Sequence, residues 1–262
     1  MALMFVMLQK HGFSSYELVL NEGANPETEG VAVCGFSTDG MVGTIAASHV
    51  ISSLNLPQIG TVLNPEFPAL ALVQDAVPKH PVRVYQGNNM GVFISEIQFP
   101  HEQDISFANT VLEWFVKGGF THLIIVDGLI RQGTEASATG GLYGIGATDK
   151  AREILEKHSI EPIMQGVVGG IPGYLLAEGD RRGLDVTALL AECNPMYPDA
   201  RAAALAVEAI TELTGIEIPL HHLLENARKI EESVREIFEE SQSKLPAPEF
   251  EIDGNDDDPM VG

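Results

Sequence analysis

The chain has 262 residues, of which 45% are hydrophobic, and its 15 basic against 37 acidic side chains give a formal net charge of −22. That charge repels nucleic acids and anionic membranes, so neither is an expected partner. No apolar run reaches the roughly 20 residues that a membrane-spanning helix needs. The acidic excess fits a salt-rich cytoplasm or an ordinary acidic surface.

The amino terminus and the cysteines carry little functional information. Residues 1–8 are apolar but lack a basic start and are short for a signal peptide, so we interpret them as a strand. The two cysteines provide neither a disulfide framework nor zinc-ligand spacing. We predict that Cys34 lies in the core and Cys193 in a loop, in a protein of the reducing cytoplasm.

The first strand–loop–helix unit invites comparison with phosphate-binding turns. Strands are predicted at 17–21 and 31–36, and a helix at 41–54. Helix amino ends bind anions, yet the motif tests fail in the loop GFSTDGMVG. Met41 follows Gly40 where a P-loop requires Lys, and Thr38 takes the first glycine position of the dinucleotide fingerprint. A phosphate site and a tight structural turn remain the alternatives, and the motifs favour the turn.

The middle of the chain contains a hairpin signal and an amphipathic helix. Short strands are predicted at 59–63 and 70–73. The segments 81–85 and 90–97 then flank Gln-Gly-Asn-Asn, a typical hairpin turn. A helix at 102–117 follows, ending at two glycines, and a buried strand at 121–126. The predicted buried face of this helix consists of Ile105, Ala108, Val111, Leu112 and Phe115.

Residues 129–147 are predicted to form a long loop, because five glycines interrupt them. Long loops without regular structure are uncommon and often functional. The segment is therefore either a mobile lid or partner-binding loop, or a surface excursion without a role. A helix capped by Thr148 follows and extends to about residue 158.

The segment 166–206 predicts a β-α-β-α unit. A strand closes at Val168, a glycine turn covers 169–173, and a helix ends at Gly183. Residues 185–191 are too evenly apolar for a strand with one wet face, so we predict a strand covered on both faces. Pro and Asp at 198–199 then start an alanine-rich helix.

The carboxyl-terminal part is predicted to be a helix at 219–241 and an acidic, disordered tail at 244–262. Its apolar repeat, from residue 220 to 237, covers fewer than three heptads, and the helix either packs on its own domain or forms a subunit interface. Its apolar residues follow the coiled-coil interval: Leu220, Leu223, Ala227, Ile230, Val234 and Ile237.

Together these elements predict one α/β domain over residues 1–243. Successive βα units imply a mostly parallel central sheet with helices on both faces, interrupted by one hairpin.

Three carboxylates are the strongest candidates for an enzymatic site. Glu96, Asp127 and Glu192 each lie near the carboxyl end of a predicted strand, where paired carboxylates could act as acid and base. Against this, no phosphate motif is complete, no G-x-S-x-G signature occurs, and such carboxylates commonly cap helices. His221 and His222 are adjacent and so make a poor metal pair. We assign no catalytic, cofactor-binding or metal-binding residue.

Several segments resemble one protein family. These are GMVGTIAASHVISSLNLPQIGTVLNPEFPALALVQD, PVRVY, FISEIQFP and LLAECNPMYPDARAA. In this order they resemble the proteasome assembly chaperone family, second-subunit type, in its archaeal form, across residues 31–240. The resemblance implies a three-layer α/β/α fold similar to nucleoside phosphorylases. It also implies a homo-oligomer that binds proteasome α-subunits during core-particle assembly.

Two features of that family are not expected to apply to this chain. The ATP-grasp-like label given to some members finds no support in the sequence. Some members also end in a hydrophobic residue, a tyrosine and any residue, which insert between α-subunits. Val261 replaces that tyrosine, so we expect client binding to rest on the folded domain, with a contribution from residues 129–147. A non-catalytic chaperone is the favoured hypothesis, and a phosphorylase-like or hydrolase-like enzyme is the alternative.

Overall fold

A computed structural model describes residues 16–24, 29–74, 76–98, 100–130, 140–221, 223 and 225. The chain divides into two units, Met1–Ala227 and Arg228–Gly262, and every described residue lies in the first. The predicted tail and most of the predicted helix 219–241 lie outside the described residues.

Strands and helices alternate through most of the described chain. The helices are α1 (Val42–Ser53), α2 (Asp104–Lys117), α3 (Asp149–Lys157), α4 (Gly170–Arg182) and α5 (Ala200–Thr214). The strands are β1 (Glu17–Leu20), β2 (Val31–Gly35), β3 (Gln58–Leu63), β4 (Leu72–Gln74), β5 (Val77–Lys79), β6 (Val82–Gly87), β7 (Met90–Ser95), β8 (His122–Leu129), β9 (Leu142–Gly146), β10 (Glu161–Pro162) and β11 (Val186–Glu192).

The described strands form a nine-stranded sheet in the order β1-β3-β6-β7-β2-β8-β11-β9-β10, and β4 and β5 form a separate hairpin. The predicted parallel pairing is found in the centre of the sheet, β7-β2-β8-β11, and between β9 and β10 at one margin. Towards the margins, β1-β3, β3-β6, β6-β7 and β11-β9 pair antiparallel, so the sheet is mixed. The predicted hairpin contributes to this: Asn88 and Asn89 both have positive φ, as a two-residue turn of type I′ requires.

Helices cover both faces of the sheet, which confirms the three layers. Side chains of α1 and α5 pack in one apolar cluster with Val33, Ile124 and Leu189 of the central strands. Side chains of α2 and α4 pack in a second cluster on the opposite face. The prediction that Ile105 is buried is wrong, because this residue lies in the first turn of α2 and is exposed.

The prediction of a loop throughout 129–147 is wrong for its second half. Residues 142–146 form β9, which lies between β11 and β10. A side chain at Gly144 would come within 2.7 Å of Leu155, so this glycine allows α3 to pack closely on β9. The glycines here reflect close packing rather than a lack of structure, and residues 131–139 lie outside the described part.

The prediction of a strand closing at Val168 is also wrong. Strand β10 is limited to two residues, and Val167 is 97% exposed. The predicted glycine turn belongs largely to the first turn of α4. A β-carbon on Gly173 would lie 2.0 Å from the carbonyl oxygen of Val168, so glycine permits a close approach of the backbone there.

Three predicted helix boundaries are confirmed. The Thr148 side chain accepts a hydrogen bond from the Ala151 amide at 3.1 Å. Asp199 accepts from the Ala202 amide at 2.9 Å at the start of α5. Gly183 ends α4 with a φ of 65°.

We predict that Asp199→Ala lowers the free energy of unfolding by about 2 kcal/mol, because this buried carboxylate also accepts from the Asn194 amide at 3.0 Å. That loss corresponds to a fall in melting temperature of roughly 4–8 °C in thermal denaturation. Asp180→Ala, at an exposed position of α4, is the control and should leave the melting temperature unchanged. Equal melting temperatures for both variants would contradict the role given to the cap.

Candidate functional site

The three candidate carboxylates lie at one edge of the sheet, but each bonds its own protein partners. Glu96 follows β7 and forms an ion pair with Arg83. The Asp127 side chain, in β8, accepts a hydrogen bond from the Thr38 hydroxyl. Glu192, at the end of β11, accepts from the Tyr143 hydroxyl at 3.2 Å. These separate partners do not make the acid–base pair that the enzymatic hypothesis requires.

Glu96 has a structural task. Arg83 is only 1% exposed, and its Nε donates to the Tyr85 hydroxyl at 2.9 Å. The same guanidinium donates to Glu96 and to the carbonyl oxygen of His80. Because a buried guanidinium without a counter-charge is strongly destabilising, Glu96 serves to neutralise Arg83.

Asp127 lies under the turn that follows β2. Burial raises the pKa of its carboxyl, the hydrogen bonds from Thr38 and the Gly128 amide lower it, and the neighbouring Asp39 raises it, for a net increase. A β-carbon on Gly128 would come within 2.4 Å of the Asp39 carbonyl oxygen, so the turn rests directly on β8. This packing supports the structural interpretation of the turn.

Cys193 closes the other side of the same turn. A β-carbon on Gly40 would meet its Sγ at 2.9 Å. Burial is the largest cause that raises the pKa of the Cys193 thiol to about 12, and the nearby negative charge of Asp199 is the second. The thiol is therefore protonated at neutral pH, unlike a catalytic thiolate. The position at which open α/β sheets commonly bind ligands is thus occupied by packed protein groups.

The outer surface of this edge differs from an enzyme cleft, because it gathers exposed apolar side chains. The strands β2, β7, β8 and β11 run in one direction. Strand β6 is antiparallel to β7, and β3 is antiparallel to β6, so β3 runs in that direction as well. The connections that follow these five strands therefore emerge at one end of the sheet, which we call the carboxyl edge.

Seven of the ten large apolar side chains that are exposed in the described residues lie in segments that follow these five strands, two more precede α4 at the same edge, and Val116 lies at the other end of α2. Met164 and Val167 precede α4, whose first residue lies beside Asp104 at the start of α2. The nine residues are Met41, Leu70, Val73, Val77, Ile105, Ile130, Met164, Val167 and Met196.

Acidic residues are interspersed with this apolar surface. Asp39, Glu66 and Glu102 are exposed on the same connections. Within the described residues, no group of three or more His, Cys, Asp or Glu side chains is arranged to hold a metal ion. The edge is suited to contact a protein surface that is apolar and basic.

Reasoning from the sequence alone did not identify this surface. A usable signal was present, because Val73, Val77 and Met196 stand in segments interrupted by prolines, where a buried strand is unfavourable. Apolar residues in such segments indicate exposed connections, and the strand order then places them together.

We predict that Asp127→Asn raises the melting temperature at pH 7. The amide oxygen keeps both accepted hydrogen bonds, whereas the buried charge is removed. Since the folded-state pKa of Asp127 is raised, its ionisation costs stability above that pKa, and this cost disappears as the pH falls through it. The melting temperatures of the wild type and of Asp127→Asn should therefore converge as the pH falls from 7 to 4. The wild type should not be the more stable protein at any pH in this range. A lower melting temperature for Asp127→Asn at pH 7 would contradict this account.

None of the helices that the structure describes is long and apolar enough to cross a membrane.

This chain is similar in sequence or in structure to several known proteins. PbaA of Pyrococcus furiosus, an archaeal homologue of proteasome-assembly chaperone, is 28% identical, with a TM-score of 0.78 over 87% of this chain and 93% of PbaA. An uncharacterised protein of Methanocaldococcus jannaschii is 26% identical over 210 residues, 80% of this chain and 86% of that protein. PbaB of Pyrococcus furiosus, an archaeal proteasome activator, shares the fold at 22% identity, with a TM-score of 0.71 over 85% of this chain and 98% of PbaB.

The family itself is established by a match that covers most of the chain. The sequence pattern of the PAC2 family matches residues 32–238. This range includes the helices α1 to α5 and every described strand except β1 and the first residue of β2. The family predicted from the sequence is confirmed, and the chain belongs to the PAC2 family.

Proposed function

We propose that this protein is a non-catalytic assembly chaperone that binds proteasome α-subunits and assists assembly of the core particle. The observation that carries the proposal is the carboxyl edge, where nine large apolar side chains are exposed. Membership of the PAC2 family and the likeness to PbaA support it.

The composition of the edge suits a protein client. Exposed apolar residues that cluster mark interaction surfaces on soluble chains. Met164 is 83% exposed and Met196 is 86% exposed, and unbranched methionine side chains adapt to irregular partner surfaces. The interspersed carboxylates favour a client with complementary basic groups and accelerate its encounter at low salt.

The alternative function is an enzyme with a phosphorylase-like, hydrolase-like or ATP-grasp-like site near Glu96, Asp127 and Glu192. It ranks second because Glu96 neutralises Arg83, Asp127 lies beneath a packed turn, and the thiol of Cys193 is protonated at neutral pH. Detection of nucleoside or ATP turnover that is lost in Glu192→Gln would favour it. The similarity to nucleoside phosphorylases that the family resemblance implies also stays a prediction.

Three further expectations remain predictions. We expect a homo-oligomer, with helix 219–241 as the candidate interface. We expect residues 129–147 to contribute to client binding, although 131–139 lie outside the described part. We also retain the cytoplasm as the predicted compartment.

The proposal predicts that the double variant Val167→Ser/Met196→Ser weakens binding to the organism's own proteasome α-subunits at least tenfold. Burial of one such side chain contributes about 1.5–3 kcal/mol, and about 1.4 kcal/mol corresponds to a tenfold change in affinity. Isothermal titration with purified α-subunits measures the effect, and β-subunits serve as the specificity control.

Val116→Ser is the matched control, because Val116 is exposed at the opposite end of α2 and does not belong to the carboxyl edge. Its affinity should equal that of the wild type. Failure of the wild type to bind α-subunits would refute the proposed function, and equal affinities for wild type and double variant would refute the placement of the surface.

A further inference from the structure

Three of the four methionines that the structure describes lie at the carboxyl edge, and all three are exposed. Met164 is 83% exposed, Met196 is 86% exposed and Met41 is 37% exposed. We call these three residues the edge methionines. The fourth, Met90, is fully buried at the start of β7. Peroxides oxidise the thioether of methionine, so the edge carries a reactive group that its valine, leucine and isoleucine side chains lack.

The connections that carry Met41 and Met196 are bonded to each other. The Asp199 amide donates to the Gly40 carbonyl oxygen at 2.8 Å. A β-carbon on Gly40 would lie 3.0 Å from the Asn194 carbonyl oxygen, so the two connections are in close contact. The Met196 amide donates to the Asn194 side-chain oxygen at 2.9 Å. These contacts hold the backbone of Met196 and of the residue before Met41, so the fold itself places both methionines at the surface.

Met164 is held at the surface through its neighbour in the chain. The Ile163 amide donates to the Gly144 carbonyl oxygen at 3.2 Å, next to the pairing of β10 with β9. The Ile163 side chain packs against the apolar cluster that contains α2 and α4. Met164 follows directly and is exposed, as is Val167. A small oxidant therefore has open access to the Met164 sulfur.

The two cysteines of the chain do not compete for such an oxidant. Cys34 is fully buried, and burial raises the pKa of its thiol well above the usual value. Cys193 is also buried, and its thiol is protonated at neutral pH. Because the thiolate is the form that reacts with peroxides, oxidation of the described part of the chain is directed to the edge methionines.

We propose that peroxide oxidises the edge methionines to sulfoxides and thereby weakens the binding of the proteasome client. The thioether sulfur attacks one oxygen of hydrogen peroxide, the O–O bond breaks and an S–O bond forms. Sulfur is oxidised by two electrons, and the peroxide is reduced to water. The sulfoxide is polar, so the apolar contact between the methionine and the client is lost.

The modification is reversible. A methionine sulfoxide reductase transfers two electrons and two protons from a dithiol, the sulfoxide oxygen leaves as water, and the dithiol becomes a disulfide. Oxidation therefore acts as a switch on the carboxyl edge. This inference rests on the proposed function and adds redox control to the same surface.

Peptide mapping by mass spectrometry tests the site of oxidation in the full-length protein. Brief treatment with hydrogen peroxide should convert Met164 and Met196 to sulfoxides first, Met41 more slowly and Met90 last. Bound α-subunits should slow the oxidation of the edge methionines. Oxidation of Met90 as fast as that of Met164 and Met196, in protein that circular dichroism shows to be folded, would overturn the inference.

Titration with α-subunits before and after peroxide treatment tests the effect on binding. The affinity of the wild type should fall about tenfold, and a methionine sulfoxide reductase with a dithiol should restore it. The triple variant Met41→Leu/Met164→Leu/Met196→Leu has no thioether among the edge methionine positions, so peroxide should not change its affinity from the value before treatment. Met90→Leu is the matched control and should lose affinity on oxidation as the wild type does. The methionines outside the described residues are present in all three proteins.

The outcomes separate the switch from the proposed function. Unchanged affinity of the wild type, with sulfoxides confirmed at Met164 and Met196, overturns the switch and leaves the proposed function intact. An equal loss of affinity in the triple variant, or unfolding of the oxidised wild type in melting curves, does the same. Absence of α-subunit binding by the untreated wild type overturns both.

Discussion

The shared direction of five strands is the constraint on which the rest of this structure depends. Strands β2, β7, β8 and β11 are held parallel by direct pairing, and β3 is aligned with them through the antiparallel β6. Every connection that leaves these strands must therefore emerge at one end. The side chains on those connections share one surface although they are far apart in sequence.

The interior and the surface of this edge have different tasks. Underneath, Arg83 and Glu96 neutralise each other, and the turn after β2 packs on Gly128 and Cys193. On the outside, apolar side chains of the same connections are exposed to solvent. In α/β enzymes the corresponding edge commonly holds a substrate crevice. Here packed groups occupy its centre, and the connections expose apolar side chains instead of lining a crevice.

Local patterns in the sequence were enough for elements whose signals lie within a few residues. The caps at Thr148 and Asp199, the hairpin at 88–89 and the evenly apolar β11 are of this kind. Glycine-rich β9 was missed because its glycines serve contacts with α3, which no local pattern reveals. The exposure of Val167 was missed for a related reason, since burial depends on what the fold brings opposite a residue. The carboxyl edge could not be predicted without the strand order, which depends on pairings between strands far apart in sequence.

Hydrogen–deuterium exchange of the full-length protein, with and without the α-subunits of the same organism, tests the central claim most directly. The account predicts slower exchange in the complex at 64–81, 163–169 and 194–198, which form connections of the carboxyl edge. Residues 116–121 and 183–185, at the opposite end of the sheet, should be unaffected. Protection confined to that opposite end, with the carboxyl edge unchanged, would contradict the account.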